Sequence, residues 1–120
     1  MDAGKIVTEF CAAWGRGDKS AIVDAFADDA VYHNIPMPPN EGKEAIAAFI
    51  EGFIGTMATD ISFEIRHQLV SGNLVMNERV DKMTIGGNAV ALPVCGVFEI
   101  GDDGKIKAWR DYFDAAQFSG

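Results

Sequence analysis

The chain has 120 residues and a net charge of −8, and its length predicts one domain, residues 1–120, with a single hydrophobic core. Ten basic residues stand against eighteen acidic ones without forming a basic cluster, so nucleic acids and anionic membrane surfaces are disfavoured as partners. No apolar run is long enough to span a bilayer, and the first residues lack the basic and apolar regions of a signal peptide.

The first half of the chain is predicted to be mainly helical. Apolar residues at helical spacing predict a first helix over 3–14, which two glycines end. Asp18 can cap a short second helix, and a strand follows over 30–35 until a run of prolines stops it. A third helix is predicted over 43–54, where five apolar residues recur at helical spacing.

The second half alternates apolar and polar residues with a period of two, which is typical of strands. His67 shares a row with four apolar residues and is predicted to lie in the core, and Pro93 and Gly96 predict a bulge or bend. Four strands joined by short turns are predicted at about 61–69, 74–85, 90–100 and 105–114. We therefore predict an α+β fold in which three to four helices close the concave side of a curved, mostly antiparallel sheet and leave a pocket at its open end.

The two cysteines, Cys11 and Cys95, are far apart in the sequence. They predict two reduced, buried thiols in a cytoplasmic protein, and a disulfide between them is the open alternative. Neither cysteine has metal-ligand spacing, and the two histidines are isolated, so we expect no zinc site.

The last predicted strand carries a carboxylate where its pattern calls for an apolar residue. Asp111 lies between Trp109 and Phe113 on the predicted inward face. A carboxylate in that place loses solvent, which raises its pKa and makes it a better base. A buried aspartate that only helps to specify the fold is the alternative.

Two further rows of polar residues accompany Asp111. Arg79 and Asp81 point the same way from the long strand, either into the pocket or as a surface ion pair of little consequence. Tyr32 and Asn34 share a face of the earlier strand, where a phenol beside an amide can hold a water or merely form a polar edge. If all five residues meet in one pocket, they form a group that can activate water.

Three motifs together resemble the limonene-1,2-epoxide hydrolase family, in the family's order and over nearly the whole chain. They are Tyr32-His33-Asn34-Ile35-Pro36-Met37, Glu78-Arg79-Val80-Asp81 and Trp109-Arg110-Asp111-Tyr112-Phe113-Asp114. The resemblance implies a nuclear transport factor 2-like cone, a curved mixed sheet with three or four helices, and homodimers packed sheet to sheet. It also implies that water is added to a hydrophobic epoxide in one step, without a cofactor, a metal or a covalent intermediate, to give a vicinal diol.

The resemblance implies a role for each of the five polar residues. Asp111 would take a proton from a water that Tyr32 and Asn34 also hold. Asp81 would donate a proton to the epoxide oxygen, and Arg79 would lie between the two carboxylates and hold them in position. The rest of the pocket wall is expected to be apolar and drawn from Val75, Met83, Leu92, Val94, Phe98, Phe49 and Phe53.

Two alternatives remain, because one fold hosts several chemistries. A ketosteroid isomerase-like or SnoaL-like cyclase would also use a buried aspartate and a tyrosine, but it needs no arginine between two acids, so Arg79 with Asp81 counts against it. A non-catalytic binding or dimerisation module would have apolar residues on the inner face, so Asp111 counts against that.

Overall fold

The computed structural model describes residues 2–119, in which three helices and two strands precede four consecutive strands and a short last helix. The helices are α1 (Ala3–Arg16), α2 (Lys19–Asp24), α3 (Lys43–Phe53) and α4 (Ala116–Ser119). The strands are β1 (Phe26–Asn34), β2 (Asn40–Glu41), β3 (Ala58–Ser71), β4 (Leu74–Ile85), β5 (Asn88–Ile100) and β6 (Ile106–Tyr112).

The six strands form one curved sheet in the order β2-β1-β6-β5-β4-β3. Strands β3 to β6 make the predicted antiparallel meander, whereas β1 pairs with β6 in parallel, so the sheet is mixed. This parallel pairing sets Tyr32 beside Trp109 and Asn34 beside Asp111. The predicted α+β fold is confirmed, and its topology joins two polar rows that lie far apart in the sequence.

Capping residues define the helices at the start of the chain. The carboxylate of Asp2 accepts a hydrogen bond from Lys5 N at 3.0 Å, and Gly17 ends α1 with a left-handed φ of 64°. The helix therefore extends two residues beyond its predicted end. Asp18 caps α2 as predicted, accepting from Ala21 N at 3.1 Å. Within residues 2–119, no helix is long and apolar enough to cross a membrane.

The core lies between the inner face of the sheet and the helices that cover it. Trp14 of α1 and Trp109 of β6 are fully buried there, with ring centroids 5.7 Å apart. Phe10 packs edge-on against Trp109 at 5.0 Å. These large aromatic side chains tie α1 to the middle strand of the sheet.

Strand β3 corrects the prediction for His67. The pairing register of β3 with β4 shifts between Ile65 and His67, which inserts one residue and reverses the face that each later side chain takes. His67 and Leu69 are therefore exposed, and the His67 ring lies on the outer surface, 3.8 Å from the Glu78 carboxylate. The prediction of a core histidine is wrong.

Strand β5 corrects two further predictions. It pairs with β4 from Asn88 to Glu99 without a register shift, so the bulge predicted at Pro93 and Gly96 is absent. The pairing of β6 with β5 starts only at Cys95, so no strand on that side needs an N–H from Pro93. Both cysteines are free, but only Cys11 is buried, because the alternation of β5 turns Cys95 outwards.

Candidate active site

A cavity of about 420 Å³ lies on the inner side of the sheet, under α1 and α3. Among the described residues that line it are four of the predicted site residues, and these are Tyr32, Asn34, Asp81 and Asp111. They come from β1, β4 and β6. The fifth predicted residue, Arg79, is fully buried behind them. The fold therefore brings all three polar rows to one place.

Arg79 lies between the two aspartates and binds each of them through two hydrogen bonds. Its Nε and Nη2 donate to the two oxygens of Asp81, both at 2.9 Å. Its Nη1 and Nη2 donate to the two oxygens of Asp111, at 3.2 and 2.8 Å. Since Asp81 and Asp111 are 4% and 3% exposed, the surface ion pair alternative is wrong. Paired bonds of this kind fix the orientation of both carboxylates.

The remaining N–H of the guanidinium is also bound. Nη1 donates to Asn77 Oδ1 at 3.0 Å, and with the four bonds to the aspartates this uses all five guanidinium donors. The Phe63 ring lies 4.9 Å from the guanidinium carbon, and the Trp109 ring lies 5.8 Å from it. Hydrogen bonds therefore fix the orientation of the Arg79 guanidinium, and the two aromatic rings pack near it.

Burial sets the proton affinity of the two carboxylates. Loss of solvent raises the pKa of Asp111 to about 6, although Arg79 acts in the opposite direction. Burial also raises the pKa of Asp81, again against the hydrogen bonds from Arg79. With one shared proton, two carboxyl groups and one guanidinium carry no net charge, which is the state that a dry environment favours.

The Tyr32–Asn34 pair faces the same cavity from β1. The phenol of Tyr32 donates to Asn34 Oδ1 at 3.3 Å, and its ring stacks on Trp109 with centroids 4.2 Å apart. Burial raises the pKa of Tyr32 well above its usual value, so the phenol stays protonated at neutral pH. The bond to Tyr32 occupies Asn34 Oδ1, and the amide Nδ2 is then the donor that this residue can offer to a ligand.

The predicted apolar wall is largely in place. Phe49, Phe53, Met83, Leu92 and Val94 line the cavity. Val75 and Phe98 do not, because they lie further along β4 and β5, fully buried in the core. The described lining also includes residues that sequence reasoning missed, and these are Trp14, Met37, Met57, Phe63, Ile85 and Phe113.

The model of the limonene-1,2-epoxide hydrolase catalytic domain matches residues 1–119. The chain belongs to this family. Epoxide hydrolase EphG of Mycobacterium tuberculosis is 36% identical over 110 residues, which make up 90% of this chain and 70% of that protein. The function predicted from the sequence, epoxide hydrolysis, is confirmed by family and relative together.

Solved structures agree with this assignment. The structure of a Mycobacterium tuberculosis LEH-like epoxide hydrolase superposes with a TM-score of 0.85 at 32% identity and covers 96% of this chain and 84% of that one. A protein with a ketosteroid isomerase-like fold from Catenulispora acidiphila superposes with a TM-score of 0.83 at 23% identity, covering 93% of this chain and 87% of that one. The second likeness concerns the fold alone.

Two contacts of the Asp–Arg–Asp group were not predicted. Trp109 Nε1 donates to Asp111 Oδ1 at 2.6 Å. A Cβ atom at Gly96 would overlap Arg79 Nη1 and lie 2.9 Å from Asp111 Oδ1 and 3.0 Å from Asn77 Oδ1. The bare backbone of Gly96 therefore makes room for three polar side chains. The sequence signal was the glycine inside a strand, which together with Pro93 had predicted a bulge or bend.

Proposed function

We propose that this epoxide hydrolase adds water to a hydrophobic epoxide in one general acid/base step, without a covalent intermediate, and releases a vicinal diol. The observation that supports this is the buried Asp81–Arg79–Asp111 group at the wall of an apolar cavity. An epoxide is strained, but its leaving alkoxide is poor. Acid assistance at the oxygen and base assistance at the water therefore act on both ends of the same barrier.

Asp111 serves as the general base. Asp111 lines the cavity and is paired with Asn34 between strands β6 and β1. A water between these two side chains is therefore within reach of both. Asn34 Nδ2 donates to the water oxygen, the Tyr32 oxygen accepts one water proton, and Asp111 accepts the other. With a pKa of about 6, Asp111 is ionised at neutral pH yet more basic than an ordinary aspartate.

Asp81 serves as the general acid. Burial raises the pKa of this carboxyl, which lines the cavity, and when the pair holds one proton and Asp111 is ionised, that proton is on Asp81. As the ring opens, Asp81 gives its proton to the epoxide oxygen while Asp111 takes one from water. The group carries the same net charge before and after the step, and each proton transfer contributes roughly a hundred- to ten-thousandfold.

The substrate is a neutral, apolar epoxide. Apart from the two carboxyl groups, the described lining carries no charged side chain, and most of it is aromatic or aliphatic. The volume falls within the usual range of about 300–1,000 Å³ for small-molecule sites. The isomerase or cyclase alternative is weaker, because carbon-acid chemistry gives no role to an arginine that binds two acids.

We also expect a homodimer in the cytoplasm. Large apolar side chains are exposed on the outer face of the sheet, including Leu69, Leu74, Met76 and Tyr112. Such a patch fits sheet-to-sheet packing of two copies. Sedimentation at micromolar concentration tests this, and a Met76→Glu variant should shift the protein towards monomer.

The two free cysteines agree with a reducing compartment.

The decisive experiment measures diol formation from cyclic, terminal and aryl epoxides. Wild type should convert at least one of them, Asp111→Asn should convert none, and Asp28→Asn, at an exposed aspartate, should behave as wild type. A single turnover in heavy-oxygen water should place the label directly in the diol. Label that appears only after earlier turnovers would mean a covalent ester and overturn the one-step mechanism.

A further inference from the structure

A chain of hydrogen bonds leads from Arg79 away from the cavity to the first turns of α1. Arg79 Nη1 donates to Asn77 Oδ1 at 3.0 Å, and Asn77 Nδ2 donates to Gln68 Oε1 at 3.2 Å. Gln68 Nε2 in turn donates to Gly4 O and to Thr8 Oγ1, both at 3.2 Å. We call Gln68 and Asn77 the amide chain.

The two ends of the amide chain fix its direction. Arg79 has only donors, so Asn77 must turn its oxygen to the guanidinium and its NH₂ group to Gln68. Gln68 must then present its own oxygen to Asn77 and its NH₂ group to α1, where the Gly4 carbonyl accepts. The Thr8 hydroxyl donates to the same carbonyl at 3.0 Å, which leaves its oxygen free to accept from Gln68. Reversing either amide would break a bond at each of its ends.

Asn77 gives Arg79 the only one of its five bonds that does not go to an aspartate. Of the four bonds to the aspartates, the one from Nη1 to Asp111 is the longest, at 3.2 Å, and Nη1 is the nitrogen that Asn77 also binds. Asn77 is 2% exposed, so water cannot readily replace it. Because the asparagine is neutral, it satisfies the donor without adding a third carboxylate beside the pair.

We infer that Asn77, oriented by Gln68, is a positioning residue that keeps Arg79 centred between Asp81 and Asp111. The inference deepens the proposed function, since a centred guanidinium lets one carboxyl keep a proton while the other stays ionised. Neither amide belongs to the described lining of the cavity, so the amide chain acts through Arg79 and not on the substrate. It changes the chemical step and leaves substrate binding largely intact.

The first test is kinetic. Asn77→Leu, which keeps the approximate volume of the side chain, should lower kcat roughly 10- to 100-fold, because small displacements of catalytic groups have effects of this size. KM should change by less than about threefold. Gln68→Met, which leaves Asn77 in place but no longer orients it, should lower kcat less. Asn73→Ala is the matched control, since it removes an amide hydrogen bond to Ile100 O far from the site. Its kcat should match that of wild type.

A double-mutant comparison separates positioning from general destabilisation. If the amide chain works as one unit, Gln68→Met should have no further effect on kcat once Asn77 is leucine. Additive losses, or equal stability losses in Asn77→Leu and Asn73→Ala with unchanged kcat, would overturn the inference. If Asn77→Leu does not fold, the kcat and the carboxyl titration of Gln68→Met alone decide the question.

A second readout does not depend on turnover. The side-chain carboxyl carbons of Asp81 and Asp111 can be titrated by NMR in wild type and in Asn77→Leu. The charged and titratable groups around Arg79 are these two carboxyls, Tyr32 on β1 and Cys11 on α1. Without Asn77, the bond from Nη1 to Asp111 should loosen, and Asp111 should titrate at higher pH.

The two readouts distinguish the possible failures. If the two carboxyl groups titrate identically in wild type and in Asn77→Leu, Asn77 has no positioning role, whatever the activity of the variant. A wild-type protein that forms no diol, but whose Asp111 titration moves in Asn77→Leu, would refute the proposed reaction and retain the amide chain as the device that holds Arg79.

Discussion

Strand β4 carries charged residues on both of its faces, and the two sets differ in exposure and in hydrogen bonding. On the inner face, Arg79 and Asp81 have side chains 0% and 6% exposed and form paired bonds at 2.9 Å. On the outer face, Lys82 is half exposed and forms an ion pair with Glu64 of β3. An exposed ion pair contributes about 0–1 kcal/mol to stability. Opposite charges thus form a tightly bonded group on the face that excludes solvent and a weak ion pair on the face that does not.

The largest expected effect breaks the inner group. Asp81→Asn keeps the shape of the side chain but removes the mobile proton, so kcat should fall roughly a hundred- to ten-thousandfold. Lys82→Gln removes the neighbouring charge on the outer face and should leave kcat within about twofold. Steady-state rates on the best epoxide of the panel measure both. If Lys82→Gln lowered kcat as much as Asp81→Asn does, burial would not explain the difference between the two faces of β4.

The next effect tests whether the inner face has room for one more methyl group at Gly96. Gly96→Ala places a Cβ among Arg79, Asp111 and Asn77, so it should lower kcat roughly 10- to 100-fold and unfolding free energy by about 1–3 kcal/mol. Gly52→Ala is the control, because nothing lies within 4 Å of its added Cβ and alanine favours the helix. It should stabilise by up to about 1 kcal/mol. Rates and urea unfolding measure the contrast, and a harmless Gly96→Ala would contradict it.

A smaller effect concerns the hydrogen bond from Trp109 to Asp111. Trp109→Phe removes the donor at 2.6 Å and keeps most of the ring, so the ionised form of Asp111 loses stabilisation. The acidic limb of the pH–rate profile, which starts from a pKa of about 6, should therefore move to higher pH. A parallel Tyr112→Phe change on the outer face should leave the limb where it is. If the acidic limb of Trp109→Phe stays at the wild-type pH, Trp109 does not stabilise the ionised form of Asp111.

The last effect is on stability as a function of pH. The pKa of Asp111 rises on folding from 3.8 to about 6, so the folded state holds the proton more tightly over that interval. The contribution of Asp111 to stability is therefore full below about pH 3.8 and is lost as the pH rises through 6, with a slope of at most about 1.4 kcal/mol per pH unit. Urea unfolding at several pH values should show that the stability of wild type relative to Asp111→Asn falls as the pH rises and becomes constant above pH 7. An increase in wild-type stability relative to the variant over pH 4–6 would contradict the sign.

The comparison also shows what could be predicted from the sequence. Alternation along β4 assigned Arg79 and Asp81 to one row, and alternation along β6 placed Asp111 between two aromatic residues. Both predictions needed only a regular stretch of strand, and the pairing with β5 is unbroken along β4 and from Ala108 to Tyr112 in β6. His67 was misplaced because a single inserted residue in β3 leaves no mark on the apolar pattern.

Other misses arose because periodicity reports the face of a strand but not the position along it. Val75 and Phe98 do point inwards, yet they lie in the packed core and not at the cavity. The role of Gly96 depends on three side chains from two other strands that meet at its backbone. Such convergence is a property of the assembled sheet and of no single segment.

The order of the strands has a consequence for how the enzyme is made. Strand β6 is the last to leave the ribosome, yet it lies between β1 and β5 and carries Asp111. Until β6 inserts, β1 and β5 each expose an unpaired edge, and the Tyr32–Asn34 pair on β1 is separated from Arg79 on β4. Pairings between strands this distant in sequence form slowly, and open edges promote association between nascent chains. Substitutions that weaken the insertion of β6 should therefore reduce the yield of folded protein before they affect turnover by the molecules that do fold.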